Sequence, residues 1–461
     1  MTRRRNKIAI ALPFLMLLAA IHVWTAEPAP TWIDEYRDPA SRLIGAALAD
    51  TSAWDRLSIL TDTIGNRLSG TPQLDRAIQW AAAEMKRDGL ENVHTERAMV
   101  PRWVRGAESA EIVEPARRRL VMLGLGNSVG TPVAGVQADV LVVHTFDELD
   151  AAGERARGRI VLFNVPFKTY GETVRFRATG ASQAAKLGAV AMLIRSVGND
   201  GLRTAHTGAL NYSEDAPKIP AAAIAVEDAD LIQRMVDRGS RVAVSLKMTA
   251  HFEPDAESAN VVGEVRGREL PNEVVVVSGH LDSWDVGAGA TDDGGGCVVT
   301  WEALRLMKKL NLRPRRTVRV VLWTNEENGG RGGLAYRDAH RAELANHMLM
   351  LESDGGVFRP LGFGFSGSDA ARATVKAIAT LLKGIDASAI ADNGGGADIT
   401  PSVQEGHIPS MSLDVDGTKY FVIHHTQADT IDKIDPQDMA KCTAAVAVMA
   451  YVVADMRERL R

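Results

Sequence analysis

The stretch Val274–Gly296, VVVVSGHLDSWDVGAGATDDGGG, constrains this chain more than any other. Four consecutive valines are short enough for a strand and apolar enough to be covered on both faces, which is the pattern of a central parallel strand. The run ends in Ser278-Gly279-His280-Leu281-Asp282, so an imidazole and a carboxylate stand where the strand stops. In open α/β sheets that edge is where ligands bind. A glycine-rich turn then leads to Asp292, Asp293, three glycines and an apolar helical pattern.

The same arrangement recurs downstream. Thr317 to Trp323 reads as a strand followed by Asn325-Glu326-Glu327-Asn328; Met348 to Leu351 is followed by Glu352 and Asp354; Ile408 to Leu413 is followed by a loop holding His424-His425-Thr426 and Asp429-Thr430. Strands alternating with helices predict βαβ units and a parallel sheet. Four strand ends therefore deliver His, Asp, Glu and His to one rim. Singly, each motif has an ordinary structural explanation: a hydrogen-bonded His-x-Asp pair, a solvated Glu-Glu turn, an Asp N-cap. Jointly they favour a metal site, because independent turns have no reason to gather only carboxylates and imidazoles at one end of consecutive strands.

The donor types set the chemistry. Imidazole and carboxylate ligands without cysteine suit Zn²⁺ or a similar divalent ion, and the surplus of carboxylates suits two ions sharing one of them. Paired metals can hold a hydroxide and polarise a carbonyl, with a free carboxylate taking the proton and returning it to a leaving amine. One of Glu326 and Glu327 can ligate while its neighbour does this.

The rest of the chain bounds the reading. At 461 residues, 46% hydrophobic and 24% charged, it is an ordinary globular composition with room for two or three domains. Residues 1–26 carry Arg3, Arg4, Arg5 and Lys7 and then an apolar run from Ile8 to Trp24, which predicts a secretory signal and a secreted or periplasmic protein. Trp24 fits the small-residue cleavage rule poorly, so an uncleaved anchor is the alternative, and membrane attachment is expected only in that case. Loss of those cations would leave the chain more acidic than its formal charge of −5, and no basic stripe invites nucleic acid. Cys297 and Cys442 are too few for a disulfide framework; a single bridge between them stays open. Helices are expected between Trp54 and Gly89, with a turn at Asn66–Pro72, and strands around Val93–Val104 and Ala110–Leu123. Between 131 and 252 several short strands read as a compact insertion. His206 and the acidic Glu214-Asp215 in it are expected to be solvated surface, and nothing in it is expected to converge on a site.

In type and order, His280-Leu281-Asp282, Asp292-Asp293-Gly294, Glu326-Glu327, Asp354 and His425-Thr426 with Asp429-Thr430 resemble the co-catalytic dizinc exopeptidases, which include leucine-type aminopeptidases and glutamate carboxypeptidase. The resemblance runs through the whole mature chain. It implies an α/β fold with a mostly parallel central sheet flanked by helices, a catalytic domain in two parts (27–130 and 253–461), and a β-rich protease-associated domain inserted at 131–252. It implies two Zn²⁺ ions per chain, His280 and Asp354 holding one, Glu327 and His425 the other, with Asp292 bridging. Glu326 would be general base and acid. Asp282 would orient His280 through its second ring nitrogen, and Asp293 would stay off the metals, the Asp292–Asp293 bond being cis as in relatives. Peptides are the implied substrates and a homodimer the implied assembly. One departure stands out: glutamate carboxypeptidase has tyrosine where this chain has His424, leaving His424 and Tyr420 as candidates for stabilising the oxyanion. A single-zinc glutaminyl cyclase and an inactive binding protein, as in the transferrin receptor ectodomain, are the alternatives on this scaffold.

Overall fold

The computed structural model describes residues 31–199 and 201–460, so the signal or anchor segment lies outside the described residues. Among them no helix is long and apolar enough to cross a membrane.

Two eight-stranded sheets organise the chain. The central one runs Glu91–Val104, His251–Val265, Arg316–Trp323, Leu270–His280, His347–Glu352, Ser410–Val415, Pro360–Ser366, Ala389–Asp392. Its middle four strands are mutually parallel. The flanks are not: Glu91–Val104 and His251–Val265 form a long antiparallel pair on one side, and Pro360–Ser366 runs antiparallel to Ser410–Val415 on the other. The sheet is therefore mixed, with the predicted rim at the end of its four mutually parallel middle strands and one further parallel pair, Pro360–Ser366 with Ala389–Asp392, at its edge.

All four valines are buried because both faces are covered. Strand alternation sends Val275 and Val277 into a core with Val298, Leu304 and Val446 from the helices Gly295–Lys309 and Pro436–Asp455. Val274 and Val276 face the opposite way, toward Trp323, Tyr336 and Ile399. Covering both faces leaves only the strand ends for polar chemistry, which is why the ligands collect there.

The second sheet runs Arg118–Leu120, Glu108–Glu114, Ala243–Met248, Val136–Val143, Ile160–Phe163, Ala191–Arg195, Ala221–Ile224, Met122–Gly124. It carries helices Phe146–Ala152, Tyr170–Lys186 and Val226–Asp237 and so is itself α/β. Its strands begin at Glu108, ahead of the insertion boundary expected at 131, because Glu108–Glu114 pairs with Ala243–Met248 and Met122–Gly124 with Ala221–Ile224. The two cysteines stay apart: both are free and buried, and the Cys442 thiol donates to the Phe358 carbonyl at 3.1 Å.

Arg67, in the predicted turn, is fully buried and braces the rim loop. Its guanidinium donates to the carbonyls of Leu281 (2.8 Å), Gly65 (2.7 Å), Ala288 (2.8 Å) and Gly289 (3.0 Å). Truncation would strand several buried acceptors, each costing about 1–3 kcal/mol. Arg67→Ala is expected to lower unfolding stability by roughly 3 kcal/mol or more, read from denaturant midpoints.

Candidate metal centre

The predicted donors follow the four parallel strands, His280, Glu327 and Asp354 at or just past strand ends, Asp292 at the start of a helix, and His425 after the short helix Tyr420–Ile423. His280 closes Leu270–His280 and packs against the start of the helix that follows Asp293. Only glycine fits the residue before it, since a Cβ at Gly279 would come within 2.5 Å of Asp293 Oδ2 and 2.6 Å of the Cys297 nitrogen. That close approach lets the Asp293 carboxylate accept the backbone N–H groups of His280 (3.0 Å) and Gly296 (3.1 Å). Asp293 thus ties the strand end to the helix start, while Asp292, across a cis peptide bond, turns toward the imidazoles.

Asp292 is the centre of the geometry. Its Oδ1 lies 3.1 Å from His280 Nε2, and its Oδ2 lies 3.1 Å from His425 Nε2. His280 Nε2 is also 3.3 Å from Asp354 Oδ1, and His425 Nε2 is 3.2 Å from Glu327 Oε2. Two donor clusters therefore share one carboxylate. The separations match the donor-to-donor edge of a tetrahedron with metal–ligand distances of about 2.0–2.2 Å, so the residues fit a pair of zinc ions. A second sign agrees: Asp292 Oδ2 is buried and has no hydrogen-bond partner.

The surrounding hydrogen bonds differ in one respect from expectation. His280 Nδ1 meets the backbone carbonyl of Asp282 at 3.0 Å, whereas the Asp282 carboxylate is 3.9 Å away. That carboxylate instead accepts the N–H groups of Glu326 (3.0 Å) and Glu327 (3.3 Å) and the Ser69 hydroxyl (3.2 Å). Asp282 consequently fixes the Glu-Glu turn directly and reaches His280 through its own backbone. Asp429 plays a matching part, accepting from Thr291 N–H (2.8 Å) and hydroxyl (2.8 Å) and from Asp292 N–H (3.2 Å).

The second sheet was expected to add nothing, and this is corrected by the structure. The Thr207 carbonyl faces His425 Nδ1 at 3.3 Å, while Thr207 N–H donates to the His425 carbonyl at 2.9 Å. The reciprocal pair holds His425 at φ +61°, a left-handed conformation that a non-glycine residue keeps only when its surroundings impose it. Arg177, on the helix Tyr170–Lys186, lies 3.4 Å from His425 Nδ1 and donates to the Tyr170 hydroxyl at 2.7 Å. His206, expected on the surface, is 1% exposed; burial, then the charge on His425, lowers it to about 4. From the rim side, Trp284 enters the second sheet's core: a Cβ on Gly126 would be 1.9 Å from its ring, and its backbone N–H donates to Glu327 Oε1 at 3.2 Å.

His424 stacks on His425 with ring centroids 3.5 Å apart, and its Nε2 is 3.5 Å from Asp292 Oδ2. Burial, then His425, drives His424 well below the usual histidine range, leaving a neutral ring that can donate one N–H. Tyr420 is buried beside it, ring centroids 5.0 Å apart. Burial, then Asp354 and Glu327, pushes the Glu326 carboxyl well above the ordinary carboxylate value.

This geometry agrees with the comparisons. Residues 260–450 match the model of Peptidase family M28. Along 93% of its length the chain is 47% identical to carboxypeptidase Q of Mus musculus, covering 92% of that protein, and along 92% it is 46% identical to carboxypeptidase Q of Homo sapiens, covering 90%. The crystal structure of a peptidase M28 precursor from Shewanella amazonensis SB2B superposes with a TM-score of 0.90 at 36% identity, covering 93% of this chain and 98% of that one. A zinc aminopeptidase from Bacillus subtilis shares the fold at a TM-score of 0.66 and 21% identity, covering 88% of this chain and 96% of that one. The chain belongs to peptidase family M28 and is a metallo-exopeptidase. Carboxypeptidases Q are among its relatives at nearly full length.

In the metal-free protein burial acts to lower His425, but Glu327 and Asp292 outweigh it and raise the imidazole from 6.5 to about 10. Because the folded value is the higher one, this pairing stabilises the metal-free chain fully below 6.5 and is lost as pH rises toward 10. Zinc must displace the same proton, so its affinity rises with pH. Zinc added to chelator-stripped protein is expected to raise Tm more at about pH 8 than at about pH 6, as read by scanning calorimetry.

Proposed function

We infer that the protein is a zinc-dependent exopeptidase that hydrolyses dipeptides or short peptides, with two zinc ions at the shared Asp292. The single observation that carries this reading is Asp292 standing between two histidine–carboxylate pairs with Glu326 left beside them. His280 and Asp354 would hold one ion, Glu327 and His425 the other. Bound there, the ions would supply Lewis-acid polarisation of the scissile carbonyl and acidify a water.

The chain's own residues do the rest. Glu326, next to the Glu327 donor and not itself needed as one, would take a proton from the attacking water and pass it to the leaving amine. Asp282 holds the Glu326 and Glu327 backbone, so the base stays in register with the ligand next to it. His424 and Tyr420 stand on one flank, where a donor to the developing oxyanion is needed. The second sheet with its helices corresponds in this reading to a protease-associated domain, spanning the strands from Glu108 to Met248. Export from the cytoplasm and a homodimer belong to the same reading, supported by the Arg-rich, apolar N-terminus and by resemblance respectively.

A single-zinc cyclase is disfavoured because His280 and Asp354 complete a second donor set, and an inactive scaffold because both Glu326 and every donor are retained. Glu326→Gln is expected to keep two zincs per chain by elemental analysis and to lower kcat on dipeptides by about 10²–10⁴-fold. Undiminished turnover in that variant would refute the mechanism.

A further inference from the structure

Arg105 has no part in the roles above. It stands in the connection between Glu91–Val104 of the central sheet and Glu108–Glu114 of the second, and its side chain is 10% exposed. The guanidinium lies over the Trp103 ring, 5.0 Å from the centroid. Its Nε and Nη2 donate to the two carboxylate oxygens of Asp285 at 2.8 and 2.6 Å, a bidentate pair that fixes angle as well as distance. Nη2 also donates to the Thr207 hydroxyl (3.2 Å), and Nη1 donates to the Gly124 carbonyl (2.5 Å). The Thr207 hydroxyl in turn donates to that same carbonyl at 2.8 Å. One side chain therefore joins the rim loop to the second sheet.

Both ends of this link lead to the same pair of donors. Asp285 directly follows Trp284, whose backbone N–H donates to Glu327 Oε1 at 3.2 Å, while Glu327 Oε2 faces His425 Nε2. Thr207 holds the His425 ring with its carbonyl and the His425 backbone with its N–H. Glu327 and His425 are thus set against each other by a path through Trp284, Asp285, Arg105 and Thr207 that crosses between the sheets. The other pair takes its support from within the central sheet. His280 is held by the Asp282 carbonyl and by Asp293, and the segment leading to Asp354 by the Ser278 carbonyl, which accepts the Ser353 N–H at 2.9 Å. None of those hydrogen bonds involves Arg105.

We propose that Arg105 is a positioning residue for one of the two zinc ions, the one at Glu327 and His425, and that the ion at His280 and Asp354 is independent of it. This rests on the two-zinc reading above and adds a residue outside the centre that sets the affinity of one ion alone. Arg105 touches neither ion nor substrate in this role; it keeps two donors from different parts of the chain at the spacing that an ion requires. Lysine would supply the charge without the planar fork that engages Asp285 and Thr207 together.

The test is a calorimetric titration of chelator-stripped protein with zinc, in competition with a chelator of known affinity. Wild type is expected to take two ions per chain. Arg105→Met is expected to bind one ion as wild type does and the other about 10–100-fold more weakly, the usual effect of removing a partner that orients a metal ligand. Arg105→Lys is expected to fall between the two. Asp285→Asn and Thr207→Val each remove one end of the link and are expected to weaken the same ion, which keeps the test decisive if Arg105→Met fails to fold. Anomalous scattering at the zinc edge, from Arg105→Met crystals grown with one equivalent of zinc, is expected to place the ion between His280 and Asp354. Both ions weakened alike, neither weakened, or an ion retained at Glu327 and His425 in preference to the other overturns the assignment and leaves the two-zinc reading standing. Failure of wild type to take two ions overturns both.

Discussion

Everything at the rim follows from one carboxylate shared by two imidazoles. Asp292 cannot face both His280 and His425 unless its backbone is turned out of the helix that starts just after it. That turn is enforced from three sides. Asp293 ties back to His280, Asp429 holds the amides of Thr291 and Asp292, and Arg67 braces the loop between the strand and Asp292. None of these contacts touches a candidate metal position. They cost buried polar groups, and each group is satisfied by backbone, which is the arrangement that keeps a charged site rigid.

Burial and chemistry are linked through the same strands. A central strand covered on both faces is apolar through Val274–Val277, and its polar residues lie toward its ends, Glu273 before the valines and Ser278 and His280 after them. The parallel order of the four middle strands then places Asp354, the Glu-Glu turn and the His424-His425 loop at one edge. The antiparallel flanks contribute no candidate ligand. The mixed character of the sheet and the location of the site are thus one fact seen twice.

How much of this was legible in the amino-acid order depended on distance along the chain. The strand ends are local features, β-branched runs followed by His, Asp or Glu, and the rim could be read from them, whereas the choice of five donors came from the family resemblance. Asp282 could be singled out, but its partners could not. Its carboxylate acts on amides 44 and 45 residues away, and nothing in a His-x-Asp motif announces that. Thr207 and Arg177 were invisible for the same reason, and His206 was read as solvated surface. They are scattered through a segment with no motif of its own and reach His425 only because two sheets meet there.

The reciprocal pairing of Thr207 with His425, together with Trp284 seated against Gly126, makes the contact between the two sheets part of the geometry of the candidate metal centre. A molecule that wedged the sheets apart there would pull His425 away from Asp292 and Glu327 without approaching the donors themselves. A ligand that recognised only imidazole and carboxylate donors would have little to distinguish one such site from another. A wedge at this seam would read side chains of the second sheet instead, and selectivity could be sought in a part of the molecule free of the constraints that the chemistry imposes.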